Sequence, residues 1–363
     1  MQSGKPPKAP AQTAAKPPAP QAPVVQNEPK REAAPELRLP THAPVVSNVA
    51  TPCPACDNAT AVILFKGTDR LYATTDREFS VVQCAGCKLI RLDPQPEPYE
   101  LSQYYPPSYW FAPGENAAER IEELYRRFVL RDHVRFVERA IEHSAESGPV
   151  VDIGCGGGLL LRMLAERGRA VIGVDLSADA GRVAWFVNGV PSVCARFARA
   201  PLPPESCSVV TMFHLLEHLY NPAAYLDAAR EVLKPNGRLV IQVPNASSWQ
   251  FLLFGARWNG VDIPRHLFNF RKEDIDLLLR ECGFEPVRYK HFSLRDNPAG
   301  FATTIAPALD PMSRRVRRVP ETPNVRLFKD LAYAALVVGA LPFTLLEAAC
   351  QAGSTIMVEA RKK

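Results

Sequence analysis

From residue 149 onward the chain alternates short apolar runs with stretches of helical periodicity. Residues 150–153, 170–174, 209–212 and 239–243 are strand-length runs rich in Val and Ile, the last following a turn at Lys234, Pro235, Asn236 and Gly237. Between the first two runs, residues 159–167 predict a helix. Apolar strands separated by helices are what a parallel sheet covered on both faces requires. Residues 354–359 predict one more strand. Upstream, residues 120–143 place Ile121, Leu124, Phe128, Val134 and Val137 on one helical face, which predicts a single helix packed beside the sheet. Residues 331–346 carry no charge, but they number 16, are interrupted by Pro342, and fall short of the roughly 20 that a membrane span needs.

The first 50 residues break this pattern. They are dominated by Pro, Ala, Lys and Gln without hydrophobic periodicity, so they predict a disordered, partly polyproline-like tail. The domain reading is a tail at 1–50, a cysteine module with its connector at 51–110, a linking helix at 111–148 and one large domain at 149–363, with a hydrophobic insertion at about 294–353. The composition, 47% hydrophobic and 22% charged, is that of a soluble globular protein outside the tail. Net charge is +5, and the tail accounts for much of it: Lys5, Lys8, Lys16, Lys30, Arg31 and Arg38 outnumber Glu28, Glu32 and Glu36. What is left is too little for a basic nucleic-acid groove, so a nucleic-acid partner is disfavoured.

Directly after the strand at 150–153 comes Asp152-Ile153-Gly154-Cys155-Gly156-Gly157-Gly158, leading into the helix. Glycines there permit a tight turn and close approach of backbone to a ligand. The next strand ends at Asp175, 21 residues past Gly154, where a carboxylate can accept from ribose hydroxyls. A dinucleotide dehydrogenase would place a glycine where Leu159 stands, and the spacing is G-x-G-x-G instead. Over residues 149–292, with a final strand at 355–359, this pattern resembles the class I S-adenosylmethionine-dependent methyltransferases. The resemblance implies a Rossmann-like, mostly parallel sheet with an antiparallel last strand, and S-adenosylmethionine as cofactor. It also implies that Asp152, Gly154, Gly156 and Gly158 line the methionine part, that Asp175 holds the ribose, and that Phe213 lies in the loop lining the cavity. The family's acid for the adenine amine has no counterpart in Phe197-Ala198-Arg199-Ala200, which leaves backbone or Phe197 for that contact.

The segment Phe213-His214-Leu215-Leu216-Glu217-His218 precedes Asn221-Pro222, a good N-cap and first helical residue. His214, Glu217 and His218 match the H-x-x-E-H of zinc proteases, but that chemistry needs both histidines inside one helix, and here the helix begins after them. In ubiquinone-pathway O-methyltransferases a related segment of two acids and a histidine binds a divalent ion; His214 stands where the first acid would be. The same groups could serve only to cap and orient the loop. The Asn/Asp-Pro-Pro-aromatic motif of base-amine methyltransferases is missing at this point, with Val243-Pro244-Asn245 coming one strand later. Beyond it lies an aromatic stretch ending in Asp262-Ile263-Pro264-Arg265-His266. Histidine can be neutral near pH 7 and take a proton from an attacking hydroxyl. His266 is therefore the first candidate base, with Glu217 and His218 in reserve, and packing or capping is the alternative role for His266.

Two pairs, Cys53-x-x-Cys56 and Cys84-x-x-Cys87, are separated by 27 residues. Four thiolates so spaced predict one tetrahedral structural zinc. Similar cysteine modules precede the methyltransferase domain in sugar C-methyltransferases and in some ribosomal-RNA guanine methyltransferases. The remaining five cysteines are scattered, and no signal-like apolar run opens the chain, so reduced thiols and a cytoplasmic location, peripheral to the inner face of a membrane, are expected. The expected activity is methyl transfer to oxygen or carbon of a small, glycan-linked or lipid-linked acceptor. The alternatives are a zinc-module RNA methyltransferase and a cofactor-binding adaptor without turnover. Basic residues ahead of the uncharged stretch allow peripheral membrane contact through about 326–350; a buried helix pair or a homodimer contact fits the same residues.

Overall fold

The computed structural model describes residues 46–49, 51–106 and 117–363. Of the tail expected at 1–50, residues 1–45 and 50 lie outside the described residues, as does part of the connector, while Val46–Asn48 is a strand rather than tail.

An N-terminal antiparallel unit contains β1 (Val46–Asn48), β2 (Thr60–Gly67), β3 (Phe79–Cys84) and β4 (Ile90–Asp93), followed by the short α1 (Leu101–Tyr104). The expected single helix is two, α2 (Ala117–Val129) and α3 (Arg131–Ser144), divided at Leu130. Val129 and Leu130 are both buried, which draws the chain inward at the junction.

The large domain follows as β5 (Val150–Ile153), α4 (Leu159–Ala165), β6 (Val171–Asp175), α5 (Ala178–Arg182), β7 (Ser192–Cys194), β8 (Cys207–Phe213), α6 (Pro222–Val232) and β9 (Leu233–Pro244). Then come α7 (Trp249–Phe254), β10 (Phe268–Asn269), α8 (Lys272–Glu281), β11 (Phe284–Lys290), α9 (Asn297–Ile305), α10 (Pro311–Val316), α11 (Pro323–Ala349) and β12 (Thr355–Lys362). The main sheet runs β11-β12-β9-β8-β5-β6-β7. Only β12 is antiparallel to its neighbours β9 and β11, so the expected antiparallel last strand sits inside the sheet, not at its edge. The expected turn at 234–237 is a wide bulge in β9: the register moves from Leu233 to Arg238 while β8 advances only from Cys207 to Val209.

The chain builds β6 and β7 on one side of β5 and then β8 and β9 on the other. The loops after β5 and β8 therefore flank the point where strand order reverses, the crevice in which open α/β sheets bind ligands. Apolar strand residues fill both faces: Val151, Ile153, Val210 and Ile241 pack in one cluster, and Val150, Val209, Val240 and Leu161 in the other. Buried Glu359 on β12 accepts from Arg288 Nε at 2.7 Å and lies 3.0 Å from His143 Nδ1, which ties α3 to the sheet.

The cysteine unit is not a separate bead on the chain. Its sheet, β1-β2-β3-β4-β10, is completed by Phe268–Asn269 from the large domain. The insertion also differs from expectation. Pro342 does not interrupt it, and α11 continues for 27 residues. A proline within a helix forfeits one backbone hydrogen bond. Here α11 is held on either side of Pro342, by Tyr333 with Thr303 and by Glu347 with Gln250.

Candidate active site

The loop after β5 forms the first half of the site. Gly154, Gly156 and Gly158 all have positive φ, at 77°, 53° and 75°. Gly154 N–H donates to the Val174 carbonyl at 2.8 Å, which folds the loop back over β6. A Cβ at Gly156 would project into open space, whereas one at Gly158 would lie 3.1 Å from the Ala184 methyl. The first glycine leaves backbone bare toward a ligand, and the second is required for close packing. Asp175 ends β6 with its carboxylate accepting from Gly156 N at 2.9 Å and Ser177 N at 2.8 Å. Burial pushes its pKa up, and those amide donors oppose the shift. Asp152 is buried under the loop, where burial raises its pKa to about 7 despite a 2.6 Å hydrogen bond from Thr211. Phe213 ends β8 and stacks edge-on against His133 at 5.3 Å. An open glycine, a carboxylate at the neighbouring strand end and the crevice between them fit a nucleoside cofactor.

Phe197 does not reach this crevice. It is buried beside Tyr225 in the core, so it is excluded as the adenine contact. Leu176, which no sequence motif marks, is 62% exposed directly after Asp175 and offers an apolar face to a ring.

The second half is assembled from distant segments. Glu217 and His218 lie on a single turn of 3-10 helix, and α6 begins only at Pro222 with the Asn221 side chain capping Ala224 N. His266 comes from the loop after α7. The three meet: one donor atom from each of Glu217, His218 and His266 lies within 4.8 Å of the others, and the two imidazole rings cross at 4.6 Å. Backbone ties explain the meeting. Leu267 N–H donates to the Glu217 carbonyl at 2.7 Å, while the Leu267 carbonyl accepts from Leu92 N at 3.0 Å on β4. The N-terminal sheet thereby braces both sides of the cluster.

Hydrogen bonding fixes the tautomers. His266 Nδ1 lies 2.8 Å from the Gly260 carbonyl, and His218 Nδ1 lies 3.0 Å from the Arg265 carbonyl. A carbonyl only accepts, so both Nδ1 atoms donate, and in a neutral ring so held the lone pair is on Nε2. Tyr105 hydroxyl shares His218 Nδ1 at 3.0 Å. Burial, together with the neighbouring His266, lowers the His218 pKa to about 4 and keeps it neutral. Glu217 is 1% exposed, and among the described residues the nearest cationic group to its carboxylate is the His214 ring. Burial would raise its pKa, but His214 and the two site histidines lower it overall. His214 Nδ1 stands 3.3 Å from Glu217 Oε1, and its Nε2 stands 3.5 Å from Asp296 Oδ2. Burial disfavours the charge on His214, yet Asp296 and Glu217 outweigh it and raise its pKa to about 9. His214 thus stands where the family's first acid would be, while Glu217, His218 and His266 together present three atoms that could hold a metal ion.

Arg265, fully buried, locks this loop. It donates to both carboxylate oxygens of Asp69 at 3.0 and 2.7 Å and to Asp262 at 2.7 Å, beneath the Tyr72 ring. Neither Asp69 nor Tyr105 stood out in the sequence, because their partners lie far away along the chain. His266 Nε2 is 3.9 Å from Asp262 Oδ2, close enough for a proton gained there to be stabilised.

The four cysteines converge as well. Cys53 and Cys87 Sγ are 3.5 Å apart, as are Cys56 and Cys84 Sγ, and all four lie within 4.8 Å of one another. Tight turns place them, with Asp57 N donating to the Cys53 carbonyl at 2.8 Å and Lys88 N to that of Cys84 at 3.2 Å. Tetrahedral zinc with bonds of about 2.3 Å separates its sulfurs by about 3.8 Å, so the set fits that ion.

Comparison with known proteins identifies the family. The family described as Methyltransferase domain matches residues 123–289. A ubiquinone biosynthesis O-methyltransferase from Ralstonia nicotianae is 32% identical over 161 residues, 41% of this chain and 67% of that protein. This chain belongs to the class I S-adenosylmethionine-dependent methyltransferases. A second such relative, from Stutzerimonas stutzeri, is 32% identical over 36% of this chain and 60% of its own length. Among solved structures, the geranyl diphosphate C-methyltransferase of Streptomyces coelicolor A3(2) covers 74% of this chain and 99% of its own at 16% identity and a TM-score of 0.43. In this methyltransferase the matched region contains the glycine loop, Asp175, Glu217, His218 and His266, whereas the cysteine unit lies outside it.

Proposed function

We propose that this methyltransferase transfers a methyl group to a hydroxyl oxygen of a small or lipid-linked acceptor, with His266 as general base. The observation that carries the proposal is the His266 ring, held by Gly260 with its Nε2 lone pair available and with Asp262 3.9 Å from that nitrogen. The cofactor, when bound at the glycine loop and Asp175, supplies an electrophilic methyl on a sulfonium. His266 Nε2 takes the hydroxyl proton as the acceptor oxygen bonds to the methyl carbon and the sulfur–carbon bond breaks. Asp262 stabilises the imidazolium so formed. His218 and Glu217 shape the wall beside it, with His218 neutral and unable to compete for the charge. Oxygen is favoured over carbon because the two sequence relatives from Ralstonia nicotianae and Stutzerimonas stutzeri are O-methyltransferases. Cys53, Cys56, Cys84 and Cys87 hold one structural zinc, which leaves no open coordination position for catalysis.

Methyl-labelled S-adenosylmethionine incubated with the protein and a fractionated bacterial extract tests this. Label should enter an organic-extractable product whose methyl survives mild alkali, as an ether does. Label confined to a nuclease-sensitive precipitate would overturn it in favour of RNA methylation.

A further inference from the structure

A surface helix ordinarily turns its apolar side to the protein and its polar side to water. In α11 the order is inverted. Thr344 and Glu347 are fully buried, with Glu347 accepting from Gln250 at 2.8 Å, and Tyr333 hydroxyl is bonded to Thr303 at 2.9 Å. Outward stand Phe328, Leu331, Ala335, Val338, Pro342 and Leu345, spaced three or four residues apart and therefore on one face. That face extends for about 25 Å at 1.5 Å per residue. Trp249 of α7 packs on Phe343, and α7 adds Leu252 and Leu253, 73% and 66% exposed. An apolar surface of this extent marks an interaction site.

The charges beside it choose the occupant. Arg257 follows α7, and Arg317 follows α10. Arg70 donates to the carbonyls of Arg257 and of Thr304 near the end of α9, and Arg317 Nη2 donates to the Arg70 carbonyl at 2.5 Å. Among the described residues no carboxylate lies within 4.0 Å of Arg70, Arg257 or Arg317. Arg257, exposed four residues beyond Leu253 and without a carboxylate partner among the described residues, puts a cation beside the apolar positions of α7, which matches a bilayer bearing anionic headgroups. Lying on the surface is favoured over spanning, because leaving the protein would strip buried Glu347 of its Gln250 partner in hydrocarbon.

We propose that α11 and the outer side of α7 form a membrane-docking face that lies in the plane of an anionic bilayer. This rests on the fold and not on the identity of the methyl acceptor.

Sedimentation of the full chain with vesicles of phosphatidylcholine, alone or mixed with phosphatidylglycerol, tests it. The protein should pellet with the mixed vesicles and more weakly with the neutral ones. The double variant Leu331→Asp, Val338→Asp, altered only at solvent-facing positions, should partition at least about tenfold less while S-adenosylmethionine affinity and circular dichroism stay unchanged. Arg257→Glu should lower partition to the mixed vesicles by about fivefold or more, with little effect on neutral ones. Equal recovery in the supernatant with and without vesicles would overturn the proposal. So would light scattering that finds a dimer dissolved by Leu331→Asp, since a second copy would then cover the face. Failure of methyl transfer would leave these results untouched.

Discussion

The two halves of the active site are built differently. The cofactor half is local: one strand, one glycine loop and the acid ending the next strand, joined by hydrogen bonds such as Gly156 N to Asp175 over 19 residues. The acceptor half, as proposed above, is gathered from afar. Arg265 reaches Asp69 across 196 positions, Tyr105 reaches His218 across 113, and the Leu267 backbone links β4 to Glu217. A local site stands or falls with its own motif. A gathered site depends on everything that braces it, which here includes the cysteine-bearing sheet.

The largest effect should come from removing the base. His266→Ala should lower turnover by about 10² to 10⁴ and leave S-adenosylmethionine affinity within a factor of two or so. Full turnover in that variant, measured under saturating cofactor, would move the proton-accepting role to His218 or Glu217. Next comes the brace. Arg265→Met leaves Asp69 and Asp262 as buried, unpaired carboxylates and should destabilise the fold by about 3 to 5 kcal/mol in urea unfolding. A loss below about 1 kcal/mol would mean that water already screens the pair.

On the cofactor side, Asp175→Ala removes a charge-assisted contact worth about 1.5 to 3 kcal/mol, so calorimetric affinity should fall by roughly ten- to a hundredfold. An unchanged affinity would break the assignment. The smallest expected effect is a pH dependence. His214 holds its proton up to about pH 9 in the folded protein, whereas free histidine titrates near 6.5. Between those values the folded chain keeps a proton that the unfolded chain has released. The stabilisation from this pair is complete below the lower value and is lost as pH rises through about 9. Melting temperature should therefore fall across that window in the wild type, and the slope should flatten in His214→Asn. Identical profiles would remove His214 from the charged cluster.

The same contrast governs what could be read from the sequence. The strands at 150–153 and 209–212, the helix start at Asn221-Pro222 and the placement of Asp175 were legible, because each depends on residues within one or two turns. The bulge at 234–237 was legible as a turn for the same reason. The division of the helix at Leu130, the unbroken course of α11 through Pro342 and the sharing of β10 with the cysteine sheet were not, since tertiary packing decides them. His266, Glu217 and His218 could be named singly as candidates. That they could serve one cavity was legible, but the backbone contacts through Leu267 that bring them together were not, since they leave no periodic trace. Arg265 and Asp69 gave no signal beyond ordinary charged residues. The adenine contact was left between backbone and Phe197, because burial of that ring beside Tyr225 leaves no mark in its four-residue segment.

The central claim is that the cofactor half is autonomous and the acceptor half is braced by the metal-stapled sheet. Stripping the zinc with a strong chelator tests it in a single sample, by calorimetric titration with S-adenosylmethionine alongside amide hydrogen exchange. The account predicts one zinc per chain before treatment. After treatment it predicts cofactor affinity changed by no more than about twofold and loss of exchange protection in residues 262–269 and β4. Collapse of cofactor affinity together with that protection, or protection that persists once the metal is gone, would contradict it.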